Sequence, residues 1–353
     1  MDKFLELDKS IFEIKKHLDY LMYINPVNLQ EEKAKFFEKF KSNVKYNPQF
    51  IYELPEKEFL QKLTTDLESL KTKIPVDIDT NLEKIFRFEI DDLQNRVELI
   101  LNISNDNNIS YLSEKIFGGI NQELLQECKA NTNRIKTLLP NGNKYITKQD
   151  LIERVYALLK KAGQDHKSWK VVFDENTVTV ALISMYKKVV IRDDDKFDSR
   201  VYDSILAHEF AHLVLNANAS RYGFKILQYG FGLYEVLDEG IAVLEESEIN
   251  KYAIDRVKVY YLAASFALQH SFYDTCMYLQ NWLDIDTSFT VTYRVKIGMS
   301  DSSLPGAFIK DKVYFEGVKL LSSDSKYEDL ARKVKFDYRF IDEVESVLSE
   351  FTP

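Results

Sequence analysis

A chain of 353 residues, 45% hydrophobic and 29% charged, can bury a sizeable core and is long enough for two domains or one large one with an extension. Its net charge of −9 gives no general attraction to nucleic acid or to an anionic membrane, so neither is expected as a partner. No run approaches the roughly 18 apolar residues that a membrane-crossing helix needs, and the opening Met1-Asp2-Lys3-Phe4-Leu5 lacks the basic-then-apolar pattern of a secretion signal. Cys128 and Cys276 stand far apart and outside any Cys-x-x-Cys pattern, which suits buried free thiols in a reducing compartment. A cytoplasmic location is expected.

Glycine, at 11 residues, and proline, at 7, are scarce, which favours long helices over tight turns. Ile11, Ile14, Leu18, Leu21 and Met22 recur at helical spacing within 8–24, and Asn25-Pro26 stops that run. A second helix is expected over 28–42, an extended or turn segment over 47–52, and amphipathic helices over 55–72 and 80–104. The latter carries Leu82, Ile85, Phe86, Ile90, Leu93, Val97 and Leu101. Polar residues at 102–110 break the pattern, a helix follows near 111–127, and 139–145 reads as a loop. After a helix over 147–163 the character changes. Val171, Val172, Phe173, Val178, Val180, Val189, Val190 and Ile191 are strand formers, interrupted by a turn at Asp174-Glu175-Asn176. Helices are expected over 232–247, 251–270, 305–321 and 325–350, with a strand at 288–297. These elements predict an α+β, mostly α-helical fold. A helical N-terminal region, 1–145, is expected to pack on a second domain, 146–353, that holds a small β-sheet.

The chemistry sits in Ser204–Leu215, where His208-Glu209-x-x-His212 occurs. On an α-helix, residues four apart lie one turn apart on the same face, so both imidazoles can reach one ion. Glu209 points sideways, placed to act as general base on a water at that ion. Coincidence is a weak explanation, because the chain has only 5 histidines, and Ile205, Leu206, Phe210, Leu213 and Val214 give this helix a core-facing flank. A catalytic zinc site takes three protein ligands and keeps a position for water. His17 and His166 stand in charged surroundings and His270 in a core or helix-end setting, so none is a strong third ligand. Glu239 is better placed, with Gly240 and Ala242 beside it to let its helix approach the first closely. Its structural alternative is an ordinary acid near a helix N-terminus. Asp238 is the alternative ligand, and Glu245 or Glu246 can stand behind the histidines.

Gly230, Tyr234, Glu239, Gly240 and Ala242, within 230–246, resemble in spacing the Gly-Leu-x-x-Tyr…Glu-Gly-Leu-Ala segment of the QEGLA-motif metallopeptidases. That family includes the microtubule-associated tyrosine carboxypeptidases. Residues 23–37 with 47–52, and residues 306–321, resemble two further segments of the family, so the likeness covers most of the chain. The resemblance implies a glutamate-zincin peptidase with a zincin-like core. His208, His212 and Glu239 would bind one Zn2+ per chain, and Glu209 would be the catalytic base. One departure stands out: the family usually has His-Glu-x-x-x-His, and this chain is one residue shorter. The shortening implies a divergent branch with its own specificity.

A carboxypeptidase must also hold a terminal carboxylate, for which arginine or lysine is the usual partner. Arg294 and Lys310 lie in segments that resemble the family and are the candidates, and Tyr314 can donate a hydrogen bond to the oxyanion. Each has a structural alternative: an ion pair for Arg294, a helix cap for Lys310-Asp311, a core position for Tyr314. The expected activity is removal of C-terminal residues, tyrosine or another aromatic, from a peptide or protein. A strand within 177–192 would offer its edge to extended substrate. An endopeptidase would use the same residues without a carboxylate pocket. A non-catalytic regulatory protein keeping the fold is opposed by the intact motif.

Overall fold

The computed structural model describes residues 2–18, 21–76, 80–133, 144–174, 180–183, 186–194 and 196–350. In chain order, α1 (Asp2–Lys15), α2 (Leu21–Ile24), α3 (Leu29–Lys41), α4 (Lys57–Thr72), α5 (Thr80–Leu101), α6 (Asp106–Phe117) and α7 (Gln122–Asn131) come first. β1 (Tyr145–Ile146), α8 (Lys148–Lys161), β2 (Lys170–Phe173), β3 (Val180–Ile183), β4 (Lys188–Ile191) and β5 (Phe197–Asp198) follow. Then come α9 (Ser199–Ala219), α10 (Lys225–Tyr229), α11 (Tyr234–Ser247) and α12 (Ala253–Ala267). The chain continues through α13 (Phe272–Leu279), α14 (Ile285–Lys296), α15 (Val313–Ser323), α16 (Ser325–Ala331) and α17 (Ile341–Glu350). The fold is α+β and mostly α-helical, as expected. Of the loop expected over 139–145, residues 139–143 lie outside the described residues, as do the turn residues Glu175 and Asn176 and Val178, while Tyr145 begins β1.

Contacts group the chain into two compact units: residues 1–136, 231–233 and 255–315 in one, and 137–230, 234–254 and 316–353 in the other. The first is helical. In α4, Leu60, Leu63, Leu67 and Leu70 are buried at the spacing that one helix face requires. The helix expected over 111–127 is two helices. Gly118, at φ +76°, ends α6, and the Asn121 side chain caps α7 by accepting from the backbone N–H of Glu123 and Leu124 at 2.9 and 3.2 Å. Phe36 of α3 packs against Phe272 and Phe289, with ring centroids 5.6 and 5.1 Å away.

Residues 288–297, expected as a strand, fall instead mainly in α14. The β-branched Thr290, Val291, Thr292 and Val295 favour a strand locally, but context wins. Asp284 caps the helix by accepting from Thr287 N at 2.9 Å, and Phe289, Thr292, Tyr293 and Lys296 are buried at helical spacing. Lys296 ends this face with its Nζ donating to four carbonyl oxygens, those of Ala267, His270, Leu304 and Gly306, at 2.6–3.2 Å. Both Cys128 and Cys276 are buried free thiols, as expected.

The second unit contains the sheet. Its strand order is β2–β4–β3, with β2 parallel and β3 antiparallel to β4, so β3 is an edge strand among the described residues; β1 and β5 form a separate antiparallel pair. One face of this sheet meets α8 and α9: Leu151, Val155, Leu159, Trp169, Val189, Ile191, Leu206 and Leu213 form one buried cluster. Each fully buried Leu, Ile or Val in such a cluster contributes about 1.5–3 kcal/mol. The cluster therefore anchors α9 firmly on the sheet. Helices expected over 305–321 and 325–350 are shorter than expected. A single 3-10 turn at Lys310–Lys312 precedes α15, and α16 and α17 are separated by residues 332–340, where buried Asp337 accepts from Arg339 N at 3.0 Å. No helix among the described residues is long and apolar enough to cross a membrane.

Candidate metal centre

α9 begins at an N-cap, Asp198, whose side chain accepts from Arg200 N at 3.0 Å. The helix runs unbroken to Ala219, so His208 and His212 stand one turn apart on one face, their ring centroids 5.0 Å apart. α11 packs along α9 and brings Glu239 to both. Glu239 Oε2 lies 3.1 Å from His208 Nε2 and 3.4 Å from His212 Nε2. One donor atom from each of the three lies within 4.8 Å of the others, and all three side chains are only 12–16% exposed.

The glycine beside Glu239 acts differently from the expectation. Gly240 faces α15 rather than α9: a Cβ there would meet Gly317 at 2.6 Å, and a Cβ on Gly317 would meet the Val236 carbonyl oxygen at 1.9 Å. Two glycines thus let α11 and α15 touch backbone to backbone, and α11 is held from behind while it offers Glu239 to α9.

Each histidine has a carboxylate at its other ring nitrogen. Asp238 Oδ2 lies 3.0 Å from His212 Nδ1 and 2.9 Å from Lys335 Nζ, which places it behind the ring rather than with the three converging donors. Glu246 Oε2 lies 3.4 Å from His208 Nδ1, while Ser204 Oγ donates to its other oxygen at 2.7 Å and Asn250 Nδ2 donates to Ser204 Oγ at 3.3 Å. Glu245 instead meets Arg332 at 3.1 Å. Sequence reasoning missed Lys335 and Asn250, which lie in stretches without a pattern. Ser204, four residues before His208 on the same helix face, was the one partner that spacing could have found.

Electrostatics fit a cation. Burial pulls the His212 imidazole down, but Asp238 and Glu239 outweigh it and raise its pKa to about 10. Burial likewise opposes protonation of His208, and Glu239 and Glu246 raise it above its ordinary value. Positive charge is therefore favoured between these ring nitrogens and Glu239, and a divalent ion supplies it as a proton does. Two imidazole nitrogens and one carboxylate oxygen are the donor set of a His2Glu zinc site, so the residues fit the group.

Glu209 lies beside this cage. Its Oε2 accepts from Leu182 N, on edge strand β3, at 3.1 Å. A small apolar cavity lined by Leu158, Leu182, Leu206, Phe210 and Leu213 borders it. Burial pushes the Glu209 carboxyl up, against the pull of both histidines. A carboxyl so placed, beside the converging donors, suits proton transfer.

Arg294, Lys310 and Tyr314 gather in the first unit. Arg294 holds both oxygens of Asp311 from Nε and Nη2, at 2.5 and 2.8 Å, and its guanidinium lies 5.4 Å over the Tyr260 ring. Tyr260 meets Tyr314 edge-on at 6.0 Å, and Lys310 Nζ lies 5.7 Å from the Tyr314 ring. The structural alternative for Arg294 is thus present, with Asp311 buried rather than at the surface.

A sequence model of the family described as microtubule-associated tyrosine carboxypeptidase matches residues 34–332. Microtubule-associated tyrosine carboxypeptidase 1 of Mus musculus is 25% identical over 311 residues, covering 84% of this chain and 55% of that protein. The proteins of the same name from Rattus norvegicus and Homo sapiens are 26% identical over 310 and 311 residues, with the same shares covered. The chain spans about half the length of the curated relatives it matches. With most of its residues matched, the chain belongs to the microtubule-associated tyrosine carboxypeptidase family.

Proposed function

We propose that this chain is a zinc-dependent metallopeptidase that works as a carboxypeptidase, removing a C-terminal tyrosine or other aromatic residue from a peptide or protein. The observation that carries the reading is the convergence of His208, His212 and Glu239 donor atoms within 4.8 Å, with Glu209 on the same helix beside them. The relatives' name supports the carboxypeptidase part and the tyrosine preference. A zinc ion held by these three residues, one per chain, supplies Lewis acidity to a carbonyl and to water. Glu209 takes the proton from the attacking water and hands it to the leaving amine. The Leu182 N–H fixes one carboxylate oxygen of Glu209, leaving the other for that proton.

In this reading the second unit is a zincin-like core, and β3, paired on one side only among the described residues, offers its free edge to extended substrate. Arg294 or Lys310 binds the terminal carboxylate, and Tyr314 donates to the oxyanion. The free thiols suit work in the reducing cytoplasm. One observation favours an endopeptidase as the second reading. Both oxygens of Asp311 already engage the Arg294 guanidinium, which leaves that residue less able to take a substrate carboxylate. A peptide library varied at its C-terminus and read by mass spectrometry separates the two. Loss of single terminal residues, fastest for tyrosine, is expected, whereas exclusively internal cleavage would contradict the carboxypeptidase reading.

A further inference from the structure

We infer that Lys335 is a positioning residue for the zinc site, acting through Asp238 on His212; the inference rests on the zinc reading above. Lys335 follows α16, and its flanking Val334 and Phe336 are buried at 1% and 0% exposure. Its backbone N–H donates to the Leu227 carbonyl at 2.8 Å, which fixes the stem of the side chain beyond the end of α16. The ammonium then reaches inward. Lys335 Nζ lies 2.9 Å from Asp238 Oδ2, the same oxygen that faces His212 Nδ1 at 3.0 Å. The Lys335 and Asp238 side chains are only 10% and 9% exposed, and Nζ also lies 6.0 Å over the Tyr234 ring.

A buried ion pair adds little net stability, because desolvating two charges offsets most of their attraction. Its presence here is better explained by what it orients. With Oδ2 tethered by Lys335, the Asp238 carboxylate stands 3.0 Å from His212 Nδ1, which favours the tautomer that carries its proton there and turns a bare Nε2 toward Glu239. The other histidine is served differently: Glu246, behind His208, is held by the neutral Ser204 hydroxyl, which the Asn250 amide supports in turn. The two ligands are therefore unequal. A carboxylate held by a hydroxyl stands behind His208, and one held by an ammonium stands behind His212.

The test is zinc affinity, measured by competition with a chromophoric chelator on the full chain, with thermal unfolding of the metal-free forms as the check on folding. Lys335→Met is expected to weaken zinc binding about tenfold, the usual cost of losing an outer partner of a ligand. Lys335→Arg, which keeps the charge, should recover most of it. In an Asp238→Asn background, Lys335→Met should change zinc affinity little, since the two act through one contact. Zinc binding unchanged in Lys335→Met, or an equal loss in the Asp238→Asn background, overturns the inference while leaving the zinc site in place. A wild-type chain that takes up no zinc overturns both.

Discussion

Glu32 concentrates several interactions on one buried carboxylate. It accepts from the Tyr46 hydroxyl at 2.6 Å, the Gln49 N–H at 2.8 Å and Lys35 Nζ at 2.9 Å. Burial pushes its pKa up, but these three donors outweigh that and hold it below its ordinary 4.5. A carboxyl lowered in the folded state contributes stability that is fully present above its unfolded pKa and is lost as the pH falls through the folded one. Wild-type protein should therefore lose stability as the pH falls below about 4.5, and Glu32→Gln should lose less. Urea unfolding at neutral pH and near pH 4 measures this; equal acid sensitivity of the two proteins would contradict it. At this scale the sequence was most informative where chemistry dictates spacing. His208, Glu209 and His212 were legible because four residues make one helical turn. Lys335 was not, because it reaches Asp238 across a sequence separation that no local pattern records.

Among elements, the one that sets the site is α11, which carries Asp238, Glu239 and Glu246 together. It is located by the Gly240–Gly317 crossing with α15, where any added Cβ overlaps backbone. Gly317→Ala must push α11 and α15 apart, at a cost of about 1–3 kcal/mol for overpacking, and must displace Glu239 from the histidines. Thermal unfolding of the variant should fall and its zinc binding weaken together; a variant with wild-type values of both would show that the crossing does not locate α11. Gly240 was legible as a close-approach residue, but its partner was not, since a glycine reports the need for space without naming the neighbour. The strand expected at 288–297 failed for a related reason. β-branched residues express a local preference, and the Asp284 cap with burial along Phe289, Thr292 and Lys296 overrides it.

For the whole molecule, apolar periodicity located the helical stretches of the first 133 residues and the small sheet before α9, because each is a local signal, but not the breaks that divide the runs expected over 8–24 and 111–127. That residues 255–315 group with 1–136 rests on contacts across long sequence separations, which periodicity does not encode. The second unit holds the whole candidate metal cage, its outer carboxylates, Lys335 and the strand that touches Glu209, so one unit supplies every group of the proposed proton transfer. The most direct test is the metal content of wild type and Glu209→Gln, purified without chelators, assayed together with release of a C-terminal tyrosine. About one zinc per chain is expected in both proteins, with turnover in the variant reduced roughly 10²–10⁴-fold, the loss of a general base. Wild-type protein without zinc, or a variant that keeps full turnover, would contradict the account.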